Sequence, residues 1–235
     1  MAKKIYAFNL KMNKPSISFE KYVNLLEKAK DSVFVCAPFV YLQQLKQYSN
    51  TLKYGAQNVS EFKGGAHTGE VSANMLAEFG AKVCIVGHSE RRKFNLENNK
   101  QISEKIDRLV ENKILPIICV GEEKEFKFEK AKKIVQKQLE CLNLTNHLND
   151  RFIIAYEPVW AIGTGKTPTL SYIEKMSDFI KNFIATNGLK ANVLYGGSFN
   201  ENNCEGLKKV KNVDGFLIGG ASLKEESVKT ILNLN

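Results

Sequence analysis

The sequence alternates between short apolar runs and longer amphipathic stretches, and this alternation restricts the fold more than any other feature. The apolar runs are rich in Val, Ile and Phe, as is typical of buried strands, whereas the longer stretches have helical periodicity. Strands are predicted at Ile5–Asn9, Val33–Ala37, Leu52–Gln57, Val83–Gly87, Leu115–Val120, Phe152–Glu157, Asn192–Gly196 and Phe216–Ile218. Strands that alternate with helices predict a parallel sheet.

Helical patterns occupy the segments between and after these strands. They are predicted at Phe19–Lys30, Val40–Tyr48, Ala73–Phe79, Asn98–Glu111, Phe126–Leu142, Leu170–Thr186, Cys204–Lys209 and Ser227–Leu234. An open doubly wound sheet gives a similar alternation, but this many successive strand–helix units favour closure into a barrel. No linker-like stretch interrupts the pattern. The sequence therefore predicts an α/β fold, a single (β/α)8 barrel domain over residues 1–235.

Composition and charge say less about function. The chain is 43% hydrophobic and 25% charged, which is ordinary for a globular protein with a sizeable core. Its formal charge of +9 favours anionic partners, and nucleic acid, acidic lipid and phosphorylated metabolites all qualify. Many lysines stand beside glutamates, as in residues 122–133, and this pattern indicates a solvated helix face.

The N-terminal stretch and the cysteines predict a location for the protein. Polar residues break the apolar run at residues 1–13, so no signal peptide is predicted, and no stretch reaches the length of a membrane span. Five cysteines contain no Cys-x-x-Cys pair. We expect buried, reduced thiols in a cytoplasmic protein.

Three predicted strands end in polar residues. Lys11 follows the first strand, His88 the fourth and Glu157 the sixth. Taken singly, each has an ordinary structural explanation as a solvated, surface or capping residue. In a barrel, however, the carboxyl ends of all strands share one face, where active sites are built. A carboxylate, an imidazole and an ammonium together suit proton abstraction next to a carbonyl, with the ammonium stabilising the enediolate.

Glycines follow the late strands. They occur in Gly163–Gly165, Gly196–Gly197 and Gly219–Gly220. Glycines allow backbone N–H groups to approach an anion closely, and the loops after the seventh and eighth strands commonly form a phosphate site in barrels. The sequence therefore predicts a phosphorylated substrate.

These segments, taken together and in order, resemble the motifs of the triosephosphate isomerase family. The resemblance runs from Asn9 to Ser222 and is carried by Asn9-x-Lys11, Ala56–Asn58, Gly65–Glu70, Gly87–Arg92, Cys119–Glu122, Ala155–Thr167, Tyr195–Ser198 and Gly219–Ser222. It implies the TIM-barrel fold and interconversion of dihydroxyacetone phosphate and D-glyceraldehyde 3-phosphate, a reaction of glycolysis and gluconeogenesis. It implies no metal and no organic cofactor.

The resemblance also implies roles for individual residues. Glu157 would be the base, His88 a neutral electrophile and Lys11 the electrostatic stabiliser. A base glutamate paired with a neutral histidine is a known property of this family, not a deduction from this sequence. The remaining implied site residues are Asn9, which orients substrate, Glu90, which supports the polar network, and Gly163, Ser198, Gly219 and Gly220, whose amides hold the phosphate.

A lid and a partner subunit are implied as well. The lid would run from Pro158 to Thr167 and close over the phosphate. Pro168 follows it where the family usually has a small residue, which predicts a stiffer second hinge, and Leu10 stands where tryptophan is usual. The loop from Phe62 to Glu70 would insert into a second subunit of a homodimer, with Thr68 near the partner's site. Cys119 would be buried near the base.

Parts of the sequence also suggest two other kinds of protein and a related reaction class. Residues 163–167 suggest a P-loop, but that motif requires a glycine where Trp160 stands. A basic barrel that binds nucleic acid or a surface is supported only by net charge, and the aromatic residues follow core periodicity rather than forming a stacking platform. The sequence thus predicts neither a nucleic-acid nor a membrane partner. Other phosphosugar barrels, such as epimerases, remain open alternatives.

Overall fold

The computed structural model describes residues 3–142, 144, 152–164 and 166–234. Gly165, part of the predicted lid, lies outside the described residues. No helix in the described ranges is both long enough and apolar enough to cross a membrane.

Eight parallel strands form a closed barrel within the described part of the chain. Each strand pairs with the next in sequence, and the last pairs with the first. The strands are β1 Ile5–Asn9, β2 Ser32–Ala37, β3 Lys53–Ala56, β4 Val83–Val86, β5 Leu115–Val120, β6 Ile153–Tyr156, β7 Asn192–Tyr195 and β8 Gly215–Ile218. The predicted barrel is confirmed, with strand ends shifted by at most one residue.

Both faces of these strands are buried, which explains their nearly continuous apolar sequence. One set of side chains, including Phe34, Ile85 and Ile117, fills the barrel interior. The alternate set, including Phe8 and Ile154, packs against the surrounding helices. Because the interior is packed, a ligand has room only at the ends of the barrel.

Helices surround the barrel as the sequence predicts. Among the described residues they are α1 Phe19–Glu27, α2 Leu42–Tyr48, α3 Ala73–Glu78, α4 Ser89–Phe94, α5 Asn99–Glu111, α6 Phe128–Glu140, α7 Leu170–Thr186, α8 Cys204–Lys208 and α9 Glu225–Leu232. Side-chain caps fix several starts, and Asn98 forms a capping box with Gln101. Helix α4, which begins directly after His88, is not among the helices predicted from the sequence.

The cysteine prediction is correct for four of the five residues. All five are free, and Cys36, Cys84, Cys119 and Cys204 are buried. Cys141 is exposed, which corrects the expectation that every thiol is buried. Cys141 caps the C-terminal end of α6, and its position lies off the buried face formed by Ala131, Val135 and Leu139.

Candidate active site

Lys11 is held in an unusual backbone conformation just beyond β1. Its φ of 51° lies in the left-handed region, which costs a residue with a Cβ on the order of 1 kcal/mol. Its N–H donates to Asn9 Oδ1 at 3.0 Å, and Gln57 Nε2 donates to its carbonyl at 3.0 Å. These two bonds stabilise the turn, so that the lysine side chain reaches across the barrel mouth.

The ammonium of Lys11 contacts the carboxylate of Glu90, which lies in the first turn of α4. Its Nζ lies 2.5 Å from Glu90 Oε1. A Cβ on Gly219 would lie 3.0 Å from Lys11 Cε, which is a tight contact. Glycine at this position therefore leaves space for the lysine stem, and Glu90 fixes its charged end.

His88 is the N-cap residue of α4. Its Nδ1 accepts a hydrogen bond from the Glu90 backbone N–H at 3.3 Å. A nitrogen that accepts such a bond carries no proton, which assigns the ring proton to Nε2. The ring is buried, and its Nε2 faces Glu157.

Glu157 follows β6 and is 2% exposed. Its Oε2 accepts a hydrogen bond from the Ser89 N–H at 2.9 Å. Its Oε1 lies 3.0 Å from His88 Nε2, but the ring N–H does not align with this line, and Oε1 has no hydrogen-bond partner among the described residues. A buried carboxylate oxygen without a donor is costly, and it is available as a proton acceptor.

One cavity of about 220 Å³ brings the predicted residues together at the carboxyl end of the barrel. It is lined by Asn9, Lys11, His88, Glu157, Ile162, Gly163, Gly196, Gly197, Ser198, Phe199, Asn200, Leu217, Gly219, Gly220 and Ala221. Eight of the ten predicted site residues are in this set. The remaining two are Glu90, which contacts Lys11, and Thr68, which is exposed on the loop after β3.

The glycines of this cavity keep its floor and rim open. A Cβ on Gly196 would lie 3.0 Å from Glu157 Cγ, whereas a Cβ on Gly220 would meet no atom within 4 Å. Gly220 begins a 3₁₀ helix, Gly220–Leu223, so backbone N–H groups are concentrated beside the cavity. This arrangement suits a small anion.

Glu122 anchors the segment that was predicted to be a lid. This fully buried carboxylate accepts hydrogen bonds from Trp160 Nε1 at 2.9 Å and from the Tyr156 hydroxyl at 2.9 Å. Burial raises the pKa of Glu122, although these donors oppose the rise. On the other side of the segment, the Ser198 hydroxyl donates to the Ala161 carbonyl at 2.6 Å.

Several residues that shape the site were not assigned roles from the sequence. Ser89 holds Glu157, Gln57 holds Lys11, and Glu122 holds Trp160. Each stands inside a quoted motif, so the signal was present, but only the three-dimensional contacts give it a meaning. Cys119 is buried near Glu157 as expected, and burial together with that carboxylate raises the pKa of the Cys119 thiol well above its usual range.

The described residues contain no group of three or more His, Cys, Asp or Glu side chains placed to hold a metal ion.

Comparison with known proteins gives one consistent result. The sequence profile of the family described as triosephosphate isomerase matches residues 4–235. The triosephosphate isomerase of Mycoplasma mobile is 38% identical over 249 residues, covering 100% of this chain and 99% of the relative. Those of Hahella chejuensis and Buchnera aphidicola are 38% and 37% identical, each covering 99% of this chain.

Proposed function

Because the chain belongs to the triosephosphate isomerase family and is therefore an isomerase of a triose phosphate, we propose that it interconverts dihydroxyacetone phosphate and D-glyceraldehyde 3-phosphate through an enediolate. The observation that carries this proposal is the convergence of Lys11, His88 and Glu157 on one small cavity. The reaction moves a proton between neighbouring carbons, which requires one base and stabilisation of the oxygen that becomes negative.

Glu157 is the proposed base. Its unpartnered Oε1 removes the carbon-bound proton and returns it to the adjacent carbon, while Oε2 stays on the Ser89 N–H. Holding one carboxylate oxygen orients the other, and orientation of reacting groups lowers the barrier by reducing the entropy lost in the transition state. Burial keeps the carboxylate away from bulk water.

His88 is the proposed electrophile. With its proton on Nε2, the neutral ring donates to a substrate oxygen and accepts a proton from the neighbouring one as the enediolate rearranges. The Glu90 N–H supports this assignment because it occupies Nδ1. A neutral donor matches the enediolate oxygens better than a strongly acidic imidazolium would.

Lys11 supplies positive charge to the enediolate and to the phosphate. We propose that Glu90 positions its ammonium and that Asn9, whose side chain holds the Lys11 N–H, orients the substrate. A fixed charge in a site partly shielded from water acts more strongly than the same charge in solvent.

The phosphate is proposed to bind to the amides of Gly163, Ser198, Gly219 and Gly220, which line the same cavity. Residues 158–167 would close over it, excluding water and protecting the enediolate. Gly163 has a φ of 69°, which favours glycine there and presents its backbone to the cavity. The Trp160–Glu122 and Ser198–Ala161 hydrogen bonds are the contacts that lid movement would alter.

Assembly, domain organisation and location complete the proposal. We propose a homodimer, because Thr68 lies on an exposed loop and Phe62 and His67 stack at 3.7 Å to give that loop a fixed shape. We propose a single domain over residues 1–235, since the barrel uses strands from the whole length of the chain. The unpaired cysteines support a reducing compartment, the cytoplasm. The reaction requires neither a metal nor an organic cofactor.

A coupled assay on the purified protein tests this function. We expect isomerase activity, and we expect Glu157→Ala to lower kcat by about 10²- to 10⁴-fold. Glu129→Ala, which removes an exposed glutamate from α6, is the matched control and keeps wild-type activity. Equal activity in Glu157→Ala and the control would remove Glu157 from the role of base.

A further inference from the structure

A second and larger cavity lies at the end of the barrel opposite the site described above. It has a volume of about 1070 Å³, is partly open to solvent, and includes Lys53 at the start of β3, Lys82 just before β4 and Leu115 at the start of β5. These residues stand at the amino ends of their strands, whereas Lys11, His88 and Glu157 stand at or beyond the carboxyl ends. The two cavities share no lining residue.

The rim of this cavity is strongly basic. Lys46, Lys53, Lys82 and Lys113 line it, and no aspartate or glutamate is among the described residues that do. Within the described part of the chain, none of these four ammonium groups has a carboxylate within 4.0 Å. The Lys46 ammonium donates instead to the backbone carbonyl of Glu78, which is uncharged, at 3.2 Å. The four lysines of the rim therefore lack a paired carboxylate, in contrast to the lysines of α9 and α8, which pair with glutamates. The Glu27 carboxylate, which accepts hydrogen bonds from the N–H groups of Asn50, Thr51 and Leu52, brings one negative charge beside the cavity.

The floor of the cavity is apolar and partly aromatic. Phe34 and Tyr54 contribute rings, and Ile114 and Leu115 contribute aliphatic surface. The Tyr54 hydroxyl donates to the Phe79 carbonyl at 2.8 Å, which fixes the ring. Lys53 Nζ lies 5.9 Å from the centre of the Phe34 ring. Most ligand sites combine such an apolar floor with a few polar groups that set orientation.

One polar atom of the lining is unsatisfied. Ser49 Oγ is inaccessible to solvent and has no hydrogen-bond partner among the described residues, and Ser49 lines the cavity. Buried hydroxyls are normally hydrogen-bonded, so an unpaired one calls for a partner. A bound molecule would supply that partner only if the Ser49 side chain rotated toward the cavity.

We propose that this cavity is a binding site for an organic polyanion that carries a flat apolar group, the chemistry of a nucleoside polyphosphate. The four lysines bind the anionic groups, and the aromatic floor receives the apolar group. The volume of about 1070 Å³ lies just above the range typical of small-molecule sites, roughly 300–1,000 Å³. The site is independent of the isomerase reaction because it lies at the other end of the barrel.

Calorimetric titration of the full-length protein with ATP, in EDTA and at low salt, tests the proposal. We expect saturable binding that weakens as salt is raised, because exposed charges are screened. Adenosine alone should not bind, and tripolyphosphate should bind more weakly than ATP, since each lacks one of the two recognised parts. Tripolyphosphate binding as tight as that of ATP would show that the apolar floor takes no part and would overturn the proposed ligand class.

Two double variants test whether ATP binds in this cavity. Lys53→Gln/Lys82→Gln should weaken ATP binding by about tenfold or more, because each substitution removes a charge-assisted contact. Lys133→Gln/Lys211→Gln makes the same change in net charge with two exposed lysines that do not line the cavity, and should keep wild-type affinity. Equal weakening in both variants would indicate non-specific attraction and overturn the proposal.

Two further readouts separate this site from the isomerase site. Lys11→Met should leave ATP affinity unchanged, and Lys53→Gln/Lys82→Gln should leave isomerase activity unchanged. Loss of ATP binding in Lys11→Met would place the ligand in the active site and overturn the proposal. Absence of saturable binding up to about 5 mM, an affinity too weak to signify a site, would overturn it as well.

Discussion

His88 Nε2 lies 3.0 Å from Glu157 Oε1 across the mouth of the barrel, although the two residues stand on different strand–helix loops. Backbone N–H groups in the first turn of α4 orient both side chains. The Glu90 N–H binds His88 Nδ1 and the neighbouring Ser89 N–H binds Glu157 Oε2. Two successive backbone donors thus orient the proposed electrophile and the proposed base, so local changes in α4 should affect both residues.

The protonation state of His88 follows from this arrangement. We expect His88 to be neutral at pH 7 with its proton on Nε2, because the Glu90 N–H occupies Nδ1. Nitrogen NMR of histidine-labelled protein measures this directly. The chain has three histidines, and loss of one signal set in His88→Gln identifies the relevant one. Imidazolium shifts for His88 at pH 7 would contradict the prediction.

Trp160 offers a probe of the lid anchor because it is the only tryptophan in the chain. We expect Glu122→Gln to shift its emission and to lower kcat/KM, because the amide keeps a single acceptor oxygen for Trp160 Nε1 and turns an N–H group toward the Tyr156 hydroxyl. Loss of one buried hydrogen bond costs about 1–3 kcal/mol, enough to change the balance between the open and closed states of the proposed lid. Fluorescence and steady-state kinetics provide the two measurements.

Glu129→Gln is the control for this experiment, because Glu129 is exposed on α6 and makes no contact with Trp160. Unchanged emission and kinetics in both variants would mean that Glu122 does not anchor the lid.

A buried ion pair outside the candidate active site, between Lys105 and Glu97, should contribute strongly to the stability of the fold. Lys105 Nζ lies 2.5 Å from Glu97 Oε1, and both side chains are 3% exposed. We expect Lys105→Met to lower the free energy of unfolding by about 3–5 kcal/mol, because it leaves a buried carboxylate with one cation fewer. Urea unfolding measures the change. Lys100→Met, at a lysine of the same helix that is 85% exposed, should cost little.

The same pair predicts a pH dependence. Burial alone would raise the pKa of Glu97, but the bonds from Lys105 and Arg91 outweigh it and lower the pKa. A lowered folded-state pKa contributes stability above the unfolded-state value of about 4.3, and this contribution is lost as pH falls through the folded-state value. The stability gap between wild type and Lys105→Met should therefore narrow below about pH 4. A gap independent of pH would contradict the prediction.

The exposure of Cys141 gives a simple chemical prediction. A thiol reagent at neutral pH should modify one cysteine of the native protein quickly, and the other four only after unfolding, because those four are buried. Burial also raises the pKa of Cys36, Cys84, Cys119 and Cys204, which keeps them protonated. Cys141→Ser should abolish the fast phase. A fast phase that persists in this variant would show that a buried thiol is reached.

Sequence patterns predicted the barrel and the residues of its mouth because both depend on local order. Short apolar runs and the turn residues that bound them mark each strand. The polar residues that follow a strand must lie at its carboxyl end. Helix α4 escaped this reasoning because its six residues contain no apolar stripe, and its start is set by His88 as N-cap. The exposure of Cys141 also escaped it, since one residue along a helix turns the side-chain direction by about 100°, enough to move a side chain from the buried face to solvent.

The sequence alone determined which groups would meet at one end of the barrel, since parallel strands in consecutive order leave no other arrangement for Lys11, His88 and Glu157. Only the tertiary structure decided how they are held: which oxygen of Glu157 is bound by Ser89, which nitrogen of His88 carries the proton, and which carboxylate anchors Trp160. The reason is physical. The strands and the residues that follow them can be read from local periodicity, whereas hydrogen bonds between distant loops depend on atomic positions to within fractions of an ångström.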